Sequence, residues 1–561
     1  MFPNSVTNPL EIGSCTLEVC MKSCLVCSIL FTGLFLFNAR VVSAQQQKPP
    51  TIEWQTGFGG SASDYAYAML QTTDGGYIVT GFSASNDGDI KDHHGPNTTR
   101  DILVLRLDPN GKVLWHRSLG GSSQDGSPCL ALAHGGGYII AGGAASTDGD
   151  VTDHHGAVGV SDCWIVKLDT NGKTVWSRSY GGSKDEDILR IIPTNRGGYI
   201  FAARCNSNDG DVTGHHGSLS NPDFWVVEID SVGKILWQKS YGGSGTDSPF
   251  GLARTDDSAY VLAGYSNSND GDVSGNHGGY DIWVLKINDT GKVIWENSFG
   301  SPNDEDMNTV TVTTDGGYIV GGSAYYAGGD ITTPHHGHHD SYDIWIFKLH
   351  RDGKLAWERS YGGTGHDYEQ DVRSTPDGGC LISGYSTSND GDVSGHHGDT
   401  SQYDGWIAKV DSLGKLEWQR SLGGTKMDGA SGITLTRDGG CAIACNSASS
   451  DGDVTRNLGG QDCWIVKLAP FGKAAGEVYQ QYLKNPTFSV FPNPASSEIH
   501  VQFANDKPSS ELELTDVLGR RLQRISASHP GQTVDISGIP TGVYVLRSVL
   551  GNDHRLLQIV R

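Results

Sequence analysis

Between residues 51 and 468 the apolar residues fall in short runs, and the runs repeat. A Trp recurs at 54, 115, 176, 237, 295, 357 and 418, in steps of 61, 61, 61, 58, 62 and 61. The second Asp of a turn-like segment recurs at 89, 150, 211, 272, 330, 392 and 453, always 35 residues after its Trp. All length variation therefore lies between that Asp and the next Trp. A constant segment reads as packed structure and a variable one as surface loop.

Each unit holds four stretches of strand length. In the second unit they span roughly 125–133, 137–144, 162–169 and 173–179. "HGGG" or "TDGG" separates the first two, an "NDGD…HHG" loop joins the second and third, and "DTNGK" predicts a tight hairpin into the Trp strand. Four short antiparallel strands, repeated seven times, predict an all-β fold: a seven-bladed β-propeller of ~61-residue repeats over residues 51–473. The ends support closure. "TIEW" (51–54) is a fourth-strand sequence and "DCWIVKL" (462–468) a third-strand one, so the N-terminal strand should complete the last blade and hide an open edge. A solenoid is the alternative, but it would not need complementary ends.

The pattern "GGxxxDxxxxxxxTxDGGYIVxG" followed by "DIWVLKLDxxGKxxW" resembles bacterial β-propeller repeats of the SBBP type. Its hairpin is similar to the tryptophan motif of quinoprotein-like propellers. These families vary in function, so the resemblance implies a fold rather than an activity.

A linker at 474–484 precedes a second domain at 485–561. Its Pro492-Asn493-Pro494, the "D-x-L-G" turn at 516–519 and "GVYVL" at 542–546 resemble the type A C-terminal sorting domain of type IX secretion cargo. That resemblance implies a small β-sandwich, engagement of the type IX machinery and passage across a Gram-negative outer membrane. The tail would then be removed, with release of the protein or its attachment to the cell surface. The chain ends "QIVR" where a lysine-rich ending is common. At the other end, Met21–Ala44 reads as a signal peptide behind an upstream extension at 1–20. Its apolar run is too short for a good membrane span, and no transmembrane segment is expected in the mature chain, which reads as a monomer.

The formal net charge of −23 argues against nucleic acid or anionic lipid as a partner. Of eleven cysteines, seven follow the leader: Cys129, Cys163, Cys205, Cys380, Cys441, Cys445 and Cys463. They read mainly as small buried hydrophobes, with room for one disulfide that the sequence does not assign.

Candidate chemistry concentrates in the loop between second and third strands. Its Asp-Gly-Asp carboxylates are Asp87 and Asp89, Asp148 and Asp150, Asp209 and Asp211, Asp270 and Asp272, and Asp390 and Asp392. Histidines follow at His93 and His94, His154 and His155, His215 and His216, His335 and His336, and His396 and His397. Further acids open every first and third strand, and strand parity brings all of these to one rim. Three readings stand side by side. The Asp residues can simply cap backbone N–H groups in a turn. They can bind one Ca²⁺ per blade through hard oxygens. The histidines can bind a transition metal, best at "HHGHH" (335–339). All 13 Trp residues sit at repeated positions, which favours packing over a sugar-stacking platform. The breaks in the pattern (Arg204, Arg254, His134, His366 and Gly328) form no recognisable triad or nucleophile–base motif. The expected function is an exported, non-catalytic binding or adhesion protein that meets an extracellular glycan or protein through its loop rim. A polysaccharide hydrolase or lyase and a structural surface protein are the alternatives.

Overall fold

A computed structural model describes residues 47–337, 341–471, 488–491, 497–503, 511–516, 521–526, 531–540, 542–548 and 554–559. The expected signal peptide, the linker, Pro492-Asn493-Pro494 and most of the "D-x-L-G" turn lie outside them. Seven four-stranded antiparallel sheets follow one another along the chain. Blade 1 consists of Asp64–Gln71, Tyr77–Ser83, Asp101–Leu107 and Val113–Leu119. Blades 2 to 6 repeat this plan, with first strands that begin at Asp125, Glu186, Asp247, Glu305 and Asp367. Each first strand touches the first strands on either side, and the one beginning at Asp428 touches the one beginning at Asp64. The ring is thus closed, and the first strands surround its axis. All-β architecture and seven blades follow directly from the turn chemistry of the repeat.

Blade 7 is built from both ends of the ring. Ile52–Phe58 lies antiparallel to Asp462–Leu468, with Gln55 opposite Val466 and Phe58 opposite Cys463. The Trp464 indole N–H donates to Gln55 Oε1 at 2.8 Å, which fixes the register from the side chains as well.

The two Trp columns do different packing work. Third-strand Trp164, Trp225, Trp283, Trp345, Trp406 and Trp464 are at most 1% exposed, and burying each contributes on the order of 1.5–3 kcal/mol. Each donates its N–H to a residue on the neighbouring fourth strand, as Trp283 does to Glu296 at 2.9 Å. Most fourth-strand Trp residues are half-buried and cover the hairpin of the next blade. Trp176 donates to the Ser231 carbonyl at 3.2 Å and Trp357 to the Ser412 carbonyl at 3.0 Å. The hairpin glycines are required there: a Cβ on Gly111, whose φ is +81°, would lie 2.4 Å from the Trp54 ring. All seven cysteines of the propeller are free and buried, so they act as hydrophobes and no disulfide forms among the described residues.

The tail contains a three-stranded and a four-stranded sheet. Ile499 and Val501 from the first share one buried cluster with Leu512, Leu514 and Leu546 from the second. Among the described residues no helix is long and apolar enough to cross a membrane.

Candidate functional site

The Asp-Gly-Asp loops lie on one face of the ring, and the structure gives each carboxylate a protein partner. Asp87, Asp148, Asp209, Asp270 and Asp390 accept the backbone N–H of Ser61, Ser122, Ser183, Ser244 and Thr364 at 2.7–2.8 Å. Such bonds hold the pKa of Asp87, Asp148, Asp209 and Asp270 below the usual carboxylate value. The loop's second Asp faces the preceding blade. Asp211, Asp272, Asp330 and Asp392 lie 3.7–3.9 Å from Nε2 of His155, His216, His277 and His336. The same four histidines use Nδ1 on the acid that opens their own third strand, Asp162, Asp223, Asp281 or Asp343, at 2.6–3.2 Å. They are struts across blade seams. Asp150 lies 3.8 Å from Arg117 instead, and Asp89 takes Arg456 at 2.8 Å.

The first histidine of each pair stays within its own loop, and Nδ1 of His93 and of His215 also lies 3.6 and 3.4 Å from Asp101 and Asp223. His93, His154, His215 and His396 bond the carbonyls of Pro96, Val160, Ser218 and Gln402 within their own loops. His94 and His397 bond Asp101 and Asp404 at 2.8 Å, and His335 lies 3.7 Å from Asp343. Among the described residues no three His, Cys, Asp or Glu side chains converge as a metal ion would require. His338 and His339 lie outside those residues.

Inside this ring stands a second, of buried acids at the start of each first strand. Asp367 accepts the Gly363 N–H and the Ser388 hydroxyl at 2.8 Å, and the Ser386 hydroxyl as well. Burial outweighs these bonds, so its pKa rises to about 6, and that of Glu305 rises to about 7 for the same reason. One such acid occurs in every blade, so this ring too is architecture.

The pattern breaks one residue further along. At the second position of each first strand, opposite the penultimate residue of the second, the seven cross-strand pairs all differ. They are Tyr65–Phe82, Gly126–Gly143, Asp187–Arg204, Ser248–Tyr265, Asp306–Ser323, Tyr368–Tyr385 and Gly429–Asn446. These pairs surround the axial mouth on the loop face. Below it, the bulged residues Tyr67, Leu189, Phe250 and Gln370 line an axial cavity of about 260 Å³.

One side of the mouth is aromatic. Tyr325, Tyr342, Tyr368, Tyr385 and Tyr403 form a chain of ring contacts 4.3–5.3 Å apart. Tyr265 continues it in blade 4, 5.1 Å from Tyr280. All of these rings are half-buried and keep a face or an edge toward solvent. Asp306 sits among them. It is open to solvent, yet the concave wall desolvates its carboxyl and raises its pKa. On the other side Arg204 grips Asp187 at 2.6 Å, and Arg100 lies 4.2 Å over the Phe82 ring.

Of the expected pattern breaks, Arg204 and His366 belong to this mouth, with His366 stacked 6.0 Å from Tyr368. His134 and Arg254 do not. They bond Thr194 and Asn195, in the turn after the first strand of blade 3. The Trp residues are all taken up in packing, and the rings at the mouth are tyrosines instead. Their signal was a column of the repeat that varies inside a constant register, together with the "YD" that opens three third strands.

Comparison with known proteins bears on the tail. Residues 489–560 match the secretion system C-terminal sorting domain. The chain therefore carries a type IX sorting tail. It marks this propeller for the cell surface or the extracellular space and implies engagement of the secretion machinery. Regulatory protein FlaEY of Caulobacter vibrioides is 26% identical over 230 residues, which are 38% of this chain and 23% of that protein. PorZ, an essential bacterial surface component of the type-IX secretion system of Porphyromonas gingivalis, aligns with a TM-score of 0.38 at 12% identity. That alignment covers 90% of this chain and 60% of PorZ. XC5397 of Xanthomonas campestris, a gluconolactonase, aligns at 11% identity with a TM-score of 0.32, over 75% of this chain and 95% of its own.

Proposed function

We propose that this exported propeller is a non-catalytic binding or adhesion protein that takes an extracellular glycan into its loop-face mouth. The tyrosine wall of blades 4 to 6 carries the reading. Seven half-buried rings gather on this side of the mouth, and their open faces suit the C–H faces of sugar rings. A sorting tail that delivers the mouth to the cell exterior supports it. The test is a glycan array probed with the full chain, followed by titration of a binder against Tyr368→Ala/Tyr385→Ala. We expect at least about a tenfold loss of affinity, since each stacked ring contributes on the order of 1 kcal/mol or more. An unchanged affinity would move the ligand away from this wall.

Asp306 favours a second reading, a polysaccharide-cleaving enzyme. A carboxyl raised by desolvation at a ligand-sized mouth is suited to donate a proton. Product from a polysaccharide panel, abolished by Asp306→Asn, would establish this reading. Absence of product at high protein concentration would leave binding alone.

A further inference from the structure

We infer that blade 2 holds a pocket for a single acidic sugar ring, a uronate. This inference rests on the glycan reading of the mouth and names the residue class it selects. Where blades 1 and 6 place aromatic pairs, blade 2 places Gly126 and Gly143. The missing side chains leave a recess of about 310 Å³ between blades 1 and 3. A Cβ at Gly126 would meet no heavy atom within 4 Å, so this glycine faces open space. Gly143 serves differently. A Cβ there would stand 1.9 Å from Oδ1 of Asp187, so its absence lets blade 3 lean a carboxylate into the recess.

The walls are chemically sorted. Tyr67, which is 38% exposed, and Phe82 form the aromatic side, with ring centroids 5.6 Å apart. Asp187 faces them, held by the Ser161 hydroxyl at 2.7 Å and by Arg204. Gln124 stands at the rim and bonds the Thr98 carbonyl at 3.1 Å. Arg100 completes the set. It lies over Phe82 and, among the described residues, has no carboxylate partner, in a chain of net charge −23. Ser127 on the floor has φ +54°, one of three non-glycine residues with positive φ among the described residues. Its conformation comes with the bulged pairing between Gly126 and Cys129. A six-membered sugar ring would lay its C–H face on Tyr67, which Phe82 backs. Its hydroxyls would reach Asp187 and Gln124, and its carboxylate would meet Arg100, whose planar fork suits such a group.

Gly126 also supplies the test. Its backbone lies outside the left-handed region, and Tyr occupies the equivalent position in blades 1 and 6. Gly126→Tyr should therefore fold and fill the recess. The full chain, Gly126→Tyr, Arg100→Gln and Tyr368→Ala/Tyr385→Ala are titrated with oligogalacturonate, with oligoglucuronate and with neutral oligosaccharides of equal length. Melting is followed in parallel. We expect at least one uronate to bind about tenfold or more tighter than its neutral counterpart. Gly126→Tyr and Arg100→Gln should each lose that uronate by a similar factor without a change in melting, and the two uronates identify the source. Equal affinity for acidic and neutral sugars, or uronate binding that survives Gly126→Tyr or Arg100→Gln, would overturn the pocket. So would failure of the full chain to bind either uronate. If Tyr368→Ala/Tyr385→Ala abolishes binding of a uronate that Gly126→Tyr still binds, the mouth reading stands and the pocket falls. If no glycan binds the full chain at all, both fall.

Discussion

The histidine loops and the mouth pairs occupy the same face of the ring, a few residues apart, and they obey opposite rules. The strut loop keeps its second Asp in every blade and a histidine in six of the seven, and spends its polar atoms on neighbouring protein. The mouth position changes in every blade, and several of its groups are left facing solvent. A ring fold needs one solution for the seam between blades and reuses it. It needs a ligand only once, so the contact residues cannot follow the period. In a repeat protein, recurrence marks architecture and its failure marks the place to look for function.

The contrast can be broken by mutation, and the largest effect should come from the seam that closes the ring. Deletion of residues 51–60 removes the outermost strand of blade 7 and bares Asp462–Leu468 as an edge. This should abolish the cooperative unfolding transition, because it exceeds the ~5–15 kcal/mol margin of a typical domain. Next comes the buried acid ring. Asp367→Ala strands the Gly363 N–H and two serine hydroxyls, and should cost about 3–5 kcal/mol in chemical denaturation.

Third is pH. Burial raises the pKa of Glu305 to about 7 and of Asp367 to about 6. His277 is also raised: burial opposes its charge, but the Asp281 carboxylate prevails. Groups raised on folding add stability that is complete below their unfolded pKa and is lost as pH climbs through the folded one. Acids and histidine thus act with one sign, and the melting temperature should fall between about pH 5 and pH 8. A melting temperature that rose over this interval would contradict the assignment. Fourth, His277→Ala should cost only about 1 kcal/mol, since its side chain is 34% exposed, and should flatten that pH slope. Substitutions at the mouth should change stability least and ligand binding most. A Tyr368→Ala/Tyr385→Ala protein that melted like Asp367→Ala would erase the distinction between the two rings.

The blades and their closure were legible in the sequence because turn chemistry and period are local signals. "DxxGK" demands a hairpin wherever it occurs, and the Trp steps count the blades. The seam was half legible. Strand parity placed the Asp and His residues on one rim, but the reach of His155 to Asp211 across a seam depends on the angle between blades. The mouth was least legible. The repeat register aligns Tyr65 with Gly126, 61 positions on, but nothing in "SDYAYAML" or "QDGSPCLAL" announces that this column faces the axis, because its neighbours in space are about 60 residues away in the chain. Phe82, Arg100 and Asp187 become one site only when three blades stand side by side.

The strand Ile52–Phe58 carries a consequence for how the protein is made. Gln55 and Trp464, which share a hydrogen bond across the closing seam, are 409 positions apart. At ribosomal rates of about 5–20 residues per second, the partner of this first strand emerges roughly 20–80 s after it. Throughout that interval the chain carries a solitary sticky segment at its leading end and a gap waiting at its trailing one. The propeller is therefore a ring whose first-made piece is the last to be seated, and a chain that stops short of residue 462 leaves it open.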